Sequence, residues 1–216
     1  MKYSWIIWDF NGTLLDDSDF NMRIMDDMLL ERGKPKMQGI EDYRRRFCFP
    51  VKEYYIRAGW NFSEYTFEEL AEDYVRRYKA GCGDLKLFPD VRAALSAVKK
   101  AGLRQAVLSA SEILLLRRQL GELDILGEFD EVIGVEDIYA SGKVELGKRF
   151  IASSGIDPKR AVLIGDTEHD ALVAREIGTD CALVPRGHQS AEILAATGFP
   201  VFPDIAAAAR GLLDIK

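Results

Sequence analysis

Histidine and cysteine are scarce: 216 residues hold two of the first and three of the second. Cys48, Cys82 and Cys181 are odd in number, lie far apart and form no CxxC, so neither a disulfide framework nor a zinc site is expected, and a reducing cytoplasm suits them best. No run of about 18 apolar residues occurs, which excludes a helical membrane span. The opening "MKYSWIIWDF" reaches an acidic residue too soon to hold the apolar stretch of a secretory leader. Positive charge is in deficit as well. Lys and Arg number 29 against 35 Asp and Glu, a net charge of −6, which argues against nucleic acid or an anionic membrane as partner yet leaves room for a local phosphate-binding pocket. There are no internal repeats and no low-complexity tracts, and nothing in the sequence indicates an oligomeric state.

What is present is an ordinary globular composition, 48% hydrophobic, enough for one domain with a smaller insertion. Five short apolar segments read as buried strands: "YSWIIWD" (3–9), "RQAVLS" (104–109), "DEVIG" (130–134), "AVLIGD" (161–166) and "CALVP" (181–185). Amphipathic segments lie between them, such as "PDVRAALSAVKKAG" with a Pro start and Gly stop, and "KVELGKRFIASSG" and "DALVAREIG" ending likewise. Strands alternating with helices predict an α/β fold with a doubly wound parallel sheet. The alternation fails between residues 16 and 83, where only helical patterns such as "SDFNMRIMDDMLLERG" and "TFEELAEDYVRRYKAG" occur. The expected organisation is an α/β core of 1–15 and 84–216, interrupted by an all-α insertion over 16–83 that emerges where open sheets bind ligands. The Ala-rich "IAAAARGLLDI" (205–215) reads as a terminal helix.

Asp9 ends the first strand, and "NGT" after it can turn the chain tightly and present backbone N–H groups to an anion. "VLIGDTEHD" repeats the arrangement on the fourth strand, placing Asp166 and Asp170 at its mouth. Carboxylates converging from two strand ends form a hard, oxygen-rich site that suits Mg²⁺. Ser109 ends the second strand and Lys143 opens the helix before the fourth, a hydroxyl and a cation at the same edge. Taken singly, a strand-end Ser is a common cap and a lone Lys is usually solvated. Their order and common placement point to one site.

With these residues in order, the chain resembles the haloacid dehalogenase superfamily, and within it the phosphoglycolate phosphatase-like enzymes that carry a helical cap. "WDFNGTLLDD" is similar to the first family motif, "VLSAS" to the second, "GKVELGK" to the third and "VLIGDTEHD" to the fourth, so the likeness spans essentially the whole chain. The resemblance implies a Mg²⁺-dependent phosphohydrolase of a small phosphorylated metabolite. Asp9 would attack phosphorus to form an aspartyl-phosphate. Asp9, the main-chain carbonyl of Asn11, Asp166 and Asp170 would hold the metal, while Ser109, Lys143 and backbone N–H groups around Phe10, Asn11 and Ala110 would hold the phosphoryl oxygens. Lys143 lacks the proline-containing pattern that usually follows the family lysine, which keeps Lys148 as a second candidate.

One residue departs from the family. Two positions after the nucleophile an Asp normally protonates the leaving oxygen, and here stands Asn11. General acid–base catalysis contributes roughly 10²- to 10⁴-fold, and an amide cannot supply it. Four readings stay open: another group (Glu168, His169, Asp16 or Asp17) gives the proton; the leaving group needs none; the aspartyl-phosphate is long-lived; or a phosphorylated ligand is bound with weak or no turnover. In the insertion, "YRRRFCFP" is either a solvated basic turn or a specificity element in which Arg44, Arg45 or Arg46 meets an anionic group of the substrate. His188, after the fifth strand, is either a loop hydrogen-bonding group or part of the site.

Overall fold

The computed structural model describes residues 2–135 and 142–213. Strand β1 (Trp5–Trp8) is followed by the two-residue β2 (Leu15–Asp16), by helices α1 (Ser18–Leu30), α2 (Ile40–Arg46), α3 (Val51–Ala58) and α4 (Phe67–Gly81), and by β3 (Lys86–Leu87). Next come α5 (Val91–Lys100), β4 (Arg104–Glu112), α6 (Ile113–Glu122), β5 (Glu131–Val135), α7 (Lys143–Ser154) and β6 (Ala161–Gly165). The chain continues through α8 (Glu168–Ile177), β7 (Asp180–Leu183), α9 (Ala191–Ala195) and α10 (Ile205–Leu213).

The five expected core strands form one parallel sheet in the order β5-β4-β1-β6-β7. Strand β1 is buried at every position, as a central parallel strand must be, and its side chains alternate between two cores. Ile6 and Trp8 join the cluster under α5 and α10; Trp5 and Ile7 join the one under α7 and α8. The chain passes from β1 to β4 and β5 on one side, then crosses to β6 and β7 on the other. The carboxyl ends of β1, β4 and β6 therefore flank the point where the winding reverses, the place where such sheets leave a crevice.

Helices α7 and α8 stop at Gly155 and Gly178, both left-handed at φ 67° and 79°, which is the conformation the Gly stop signals. Thr66 closes a capping box with Glu69 at the start of α4, which explains why that pattern is legible. The segment "YRRR", read as a turn in one of the two alternatives, is the body of helix α2, with Tyr43 buried and the arginines in the last turn, where cations favour the helix dipole. Strand β4 runs to Glu112, beyond the expected end at Ser109. Of the expected terminal helix over 205–215, residues past 213 lie outside the described residues.

Between β2 and β3, helices α1 to α4 build a separate apolar cluster on Met25, Met28, Tyr43, Tyr54 and Leu70. The antiparallel pairing of Leu15 with Leu87 and of Asp16 with Lys86 brings the two ends of this segment side by side, so that it leaves and re-enters the sheet domain at one place. No described helix is long and apolar enough to cross a membrane.

One polar side chain is buried deep in the sheet core. Gln105 accepts a hydrogen bond from the Trp8 indole at 3.0 Å and donates to the carbonyls of Leu95 and Glu128. Replacing it by an apolar isostere strands all three partners, and each unsatisfied buried group costs about 1–3 kcal/mol. Gln105→Leu should lower the free energy of unfolding by about 2–4 kcal/mol in urea titrations, with an unchanged m-value.

Candidate active site

The residues at the strand ends meet within a few ångströms because the local backbone leaves no alternative. Asp9 donates its N–H to the Ile164 carbonyl, which ties the end of β1 to β6. Gly12 takes a left-handed φ of 70°, and a Cβ there, or on Gly187 opposite, would overlap the Asp166 carboxylate. Gly165 is likewise pressed against the Asp170 side chain. Three glycines thus make the space that two carboxylates fill.

Asp9, Asp166 and Asp170 are buried, and each offers an oxygen within 4.8 Å of the others. Lys143, itself buried, donates to Asp9 Oδ1 at 2.5 Å and to Asp170 Oδ1 at 2.6 Å. The Thr13 hydroxyl bridges Asp9 (3.2 Å) and Asp166 (3.1 Å). Asp170 is also the capping-box acid of α8, accepting from the Thr167 N–H and hydroxyl. This division of donors sets the charges. Burial pushes Asp9 up to about 8 against the pull of Lys143, with Asp170 and Asp166 adding repulsion. Burial likewise raises Asp166 to about 6. Asp170 resists burial because Lys143 and Thr167 hold its charge, so its pKa stays below the usual carboxylate value. Burial opposes the Lys143 charge, but Asp170 and Asp9 outweigh it and keep the ammonium protonated.

A second polar network adjoins the first. Asn11 Nδ2 donates to Asp17 Oδ2 at 2.7 Å and to the Tyr78 hydroxyl at 3.0 Å, while its Oδ1 accepts from Ser111 Oγ at 2.7 Å. Asp17 also accepts from the Gly12 N–H and from Asn21, and its Oδ1 lies 3.4 Å from His188 Nε2. The other ring nitrogen of His188 meets the Tyr43 hydroxyl at 2.7 Å, and its backbone N–H donates to Asp166. Burial would discharge His188, yet the Asp17 carboxylate beside it raises its pKa to about 9. Burial is likewise overcome at Asp17, where His188, Asn11 and Asn21 hold the pKa below normal.

Among the residues the sequence singles out, Asp9, Asn11, Ser109, Ala110, Lys143, Asp166 and Asp170 all line one cavity. The Phe10 side chain instead enters the sheet core. Of the two lysines, Lys143 stands between the aspartates and Lys148 pairs with Glu145 and Glu176 at the surface. Asp17 and His188 join the site, whereas Glu168 and Asp16 are exposed and do not line the cavity. His169 lines it but stacks on Phe49 at 4.3 Å, and burial lowers its pKa to about 4. The three arginines of α2 lie outside the cavity. Arg44 spends its guanidinium on the carbonyls of Gly187 and Arg186 and on Glu41, Arg46 on Asp42 and the Arg57 carbonyl, and Arg45 is exposed. Sequence reasoning misses Thr13, Ser111 and Tyr78, whose roles depend on partners distant in the chain. The Thr167–Asp170 capping box is the one missed feature with a local signature, T-x-x-D before a helix.

The family model described as haloacid dehalogenase-like hydrolase matches residues 6–184. The N-acetylmuramic acid 6-phosphate phosphatase of Pseudomonas aeruginosa is 26% identical over 193 residues, covering 87% of this chain and 84% of that protein. The phosphoglycolate phosphatase of Aquifex aeolicus is 26% identical over 194 residues, covering 85% of each. Among solved structures, a haloacid dehalogenase-like family protein of Streptococcus pneumoniae superposes with a TM-score of 0.82 at 20% identity, over 96% of this chain and 97% of that one.

The buried charges give stability a definite dependence on pH. His188, raised from 6.5 to about 9, stabilises the fold fully below pH 6.5 and loses that contribution as the pH rises through 9. Asp9, raised to about 8, also weakens the fold with rising pH, but only until pH 8 is passed. The Tm should therefore fall from pH 6.5 to 9.5, and in His188→Gln the part of the fall above pH 8 should disappear, as read by thermal melts across that range.

Proposed function

The chain belongs to the haloacid dehalogenase-like hydrolase family, and from that membership we propose that it is a Mg²⁺-dependent phosphatase of small phosphate monoesters. Residues 1–15 and 84–216 form its catalytic core and residues 16–83 its cap. One observation carries the reading. The oxygens of Asp9, Asp166 and Asp170 lie within 4.8 Å of one another, and the buried Lys143 ammonium pairs with Asp9 and Asp170 but not with Asp166. Burial and mutual repulsion raise the pKa of Asp9 and Asp166, and a bound divalent cation would favour the charged form of both. An all-oxygen donor set favours a hard ion such as Mg²⁺, held by the three aspartates and the Asn11 carbonyl oxygen. When bound, the ion screens the phosphate from the nucleophile and stabilises charge on the transferring group.

The residues of the chain do the rest. An Asp9 oxygen attacks phosphorus; the bond to the leaving oxygen breaks and that oxygen keeps the electron pair. Water then cleaves the aspartyl-phosphate, releasing phosphate and restoring Asp9. Lys143 and the Ser109 hydroxyl hold the phosphoryl oxygens, with backbone N–H groups around Phe10, Asn11 and Ala110, and Thr13 fixes the angle of Asp9 toward them. The three cysteines are free and buried.

The network explains why an amide suits position 11. Its NH₂ faces the charged Asp17 at 2.7 Å, where a carboxylate would meet a carboxylate. Asn11 therefore orients the loop and leaves departure of the alcohol largely unassisted.

Two measurements test the reading. Mg²⁺ at roughly 100 times its Kd should add about 2.7 kcal/mol of stability, a rise of roughly 5–10 °C in Tm that Asp170→Asn removes. Phosphate release should stop in Asp9→Asn, and Asn11→Asp should speed alkyl phosphates at least roughly ten-fold at acidic pH while lowering stability as the pH rises. Unchanged phosphate release in Asp9→Asn would falsify the nucleophile. Absence of turnover in the wild type with every phosphate, together with tight phosphate binding, would favour a phospho-ligand-binding protein.

A further inference from the structure

A cavity of about 210 Å³ reaches from Asp9, Ser109 and Lys143 to the helical segment. Its far wall is aromatic and aliphatic: Phe47, Phe49, Tyr54, Tyr55, Tyr74 and Val75. The cation on that side, Lys79, is paired with Glu112 at 2.6 Å, and Arg44 and Arg46 are engaged elsewhere. Nothing among the described residues of this wall is free to neutralise a second carboxylate or phosphate on a ligand. For scale, a closed apolar cavity of about 150 Å³ holds a benzene molecule. The Tyr54 hydroxyl, on a side chain almost wholly buried, has no hydrogen-bond partner and offers one to a polar substituent of a ring.

The other end of the cavity makes an independent demand. Both ends of the Asn11 amide are committed, to Asp17 and Tyr78 on one side and to Ser111 on the other. Both ring nitrogens of His188 are committed too, to Tyr43 and Asp17. Neither Asn11 nor His188 offers a leaving oxygen an uncommitted proton; the one unpartnered ring nitrogen among the described cavity residues, His169 Nε2, belongs to a ring stacked on Phe49. Phenols ionise with a pKa of about 10, against 15.7 or so for water, so an aryl oxide departs as the anion where an alkoxide does not.

From the aromatic wall and the committed donors together we infer that the substrate is an aryl phosphate, with its ring seated between Phe49, Tyr54 and Tyr74 and its phosphate on Asp9. The inference rests on the phosphatase reading and narrows its substrate class. It excludes small phosphates that carry a remote carboxylate, for which the far wall has no partner.

Four probes separate ring recognition from leaving-group quality: phenyl phosphate (ring, good leaving group), benzyl phosphate (ring, poor leaving group), acetyl phosphate (no ring, good leaving group) and 2-phosphoglycolate (neither). The two ring compounds should show KM values at least ten-fold below the other two, and kcat for phenyl phosphate should exceed that for benzyl phosphate at least a hundred-fold. A KM for 2-phosphoglycolate at or below that of phenyl phosphate overturns the inference, as does benzyl phosphate turning over as fast as phenyl phosphate. Val75→Asp, with folding checked by circular dichroism, should lower the phenyl-to-acetyl ratio of kcat/KM at least ten-fold; an unchanged ratio counts against the aromatic wall. Should none of the four turn over, the phosphatase reading fails, and calorimetry on the same protein decides the ring question. Phenyl phosphate binding at least ten-fold tighter than 2-phosphoglycolate supports it, and equal or absent binding overturns it.

Discussion

The buried ammonium of Lys143, held between Asp9 and Asp170, is the interaction on which the other features of the site depend. It joins the end of β1 to the first turns of α7 and α8, elements brought together only by the crossover of the sheet. Taking these charges from water is costly, and the cost is recovered only because each has partners at hydrogen-bond distance. Losing Lys143 would leave the carboxyl groups of Asp9 and Asp170 without their shared donor in a dry site, and losing Asp9 or Asp170 would leave the ammonium half paired.

Around this centre the structure separates two tasks. The glycines at 12, 165 and 187 make room for the carboxylates, so the core holds charge where a Cβ would displace it. The helical segment lines the cavity mostly with rings, and the cations nearest it, Arg44 and Lys79, are engaged by carbonyls and acids nearby. Asn11 lies where the two parts meet. It bonds Asp17 of the segment's entry and Ser111 of β4, and its amide has a donor face and an acceptor face for two neighbours of opposite need. Asn11 thus serves as a hydrogen-bond bridge between the two parts.

The legibility of these features follows their range in the chain. The central strands are short runs with every residue apolar, because both faces of a parallel sheet are covered, and that pattern needs no partner to be recognised. Helices with a Pro start, a capping box or a Gly stop carry their ends in adjacent residues, as α3 does with Pro50 before it and Gly59 after it; α2 and α6 lack such marks and gain their form from packing. Asp9, Asp166 and Asp170 stand out because a carboxylate after an apolar strand is locally anomalous. Thr13, Ser111 and Tyr78 do not, since a hydroxyl in a loop or helix has no local sign of which distant group it will bond.

By itself, then, the sequence determined that the sheet is parallel, the succession of strands and helices along the chain, and the strand-end carboxylates, all of which follow from local hydrophobic patterning and chemical type. Only the tertiary structure decided which lysine sits between the aspartates, that the arginines of α2 turn away from the cavity, and that Asn11, Asp17 and His188 form one network. The physical reason is the same in each case. A long or polar side chain has several partners within reach of its flexible stem, and only the packed fold, by excluding water and fixing every competitor, leaves it one.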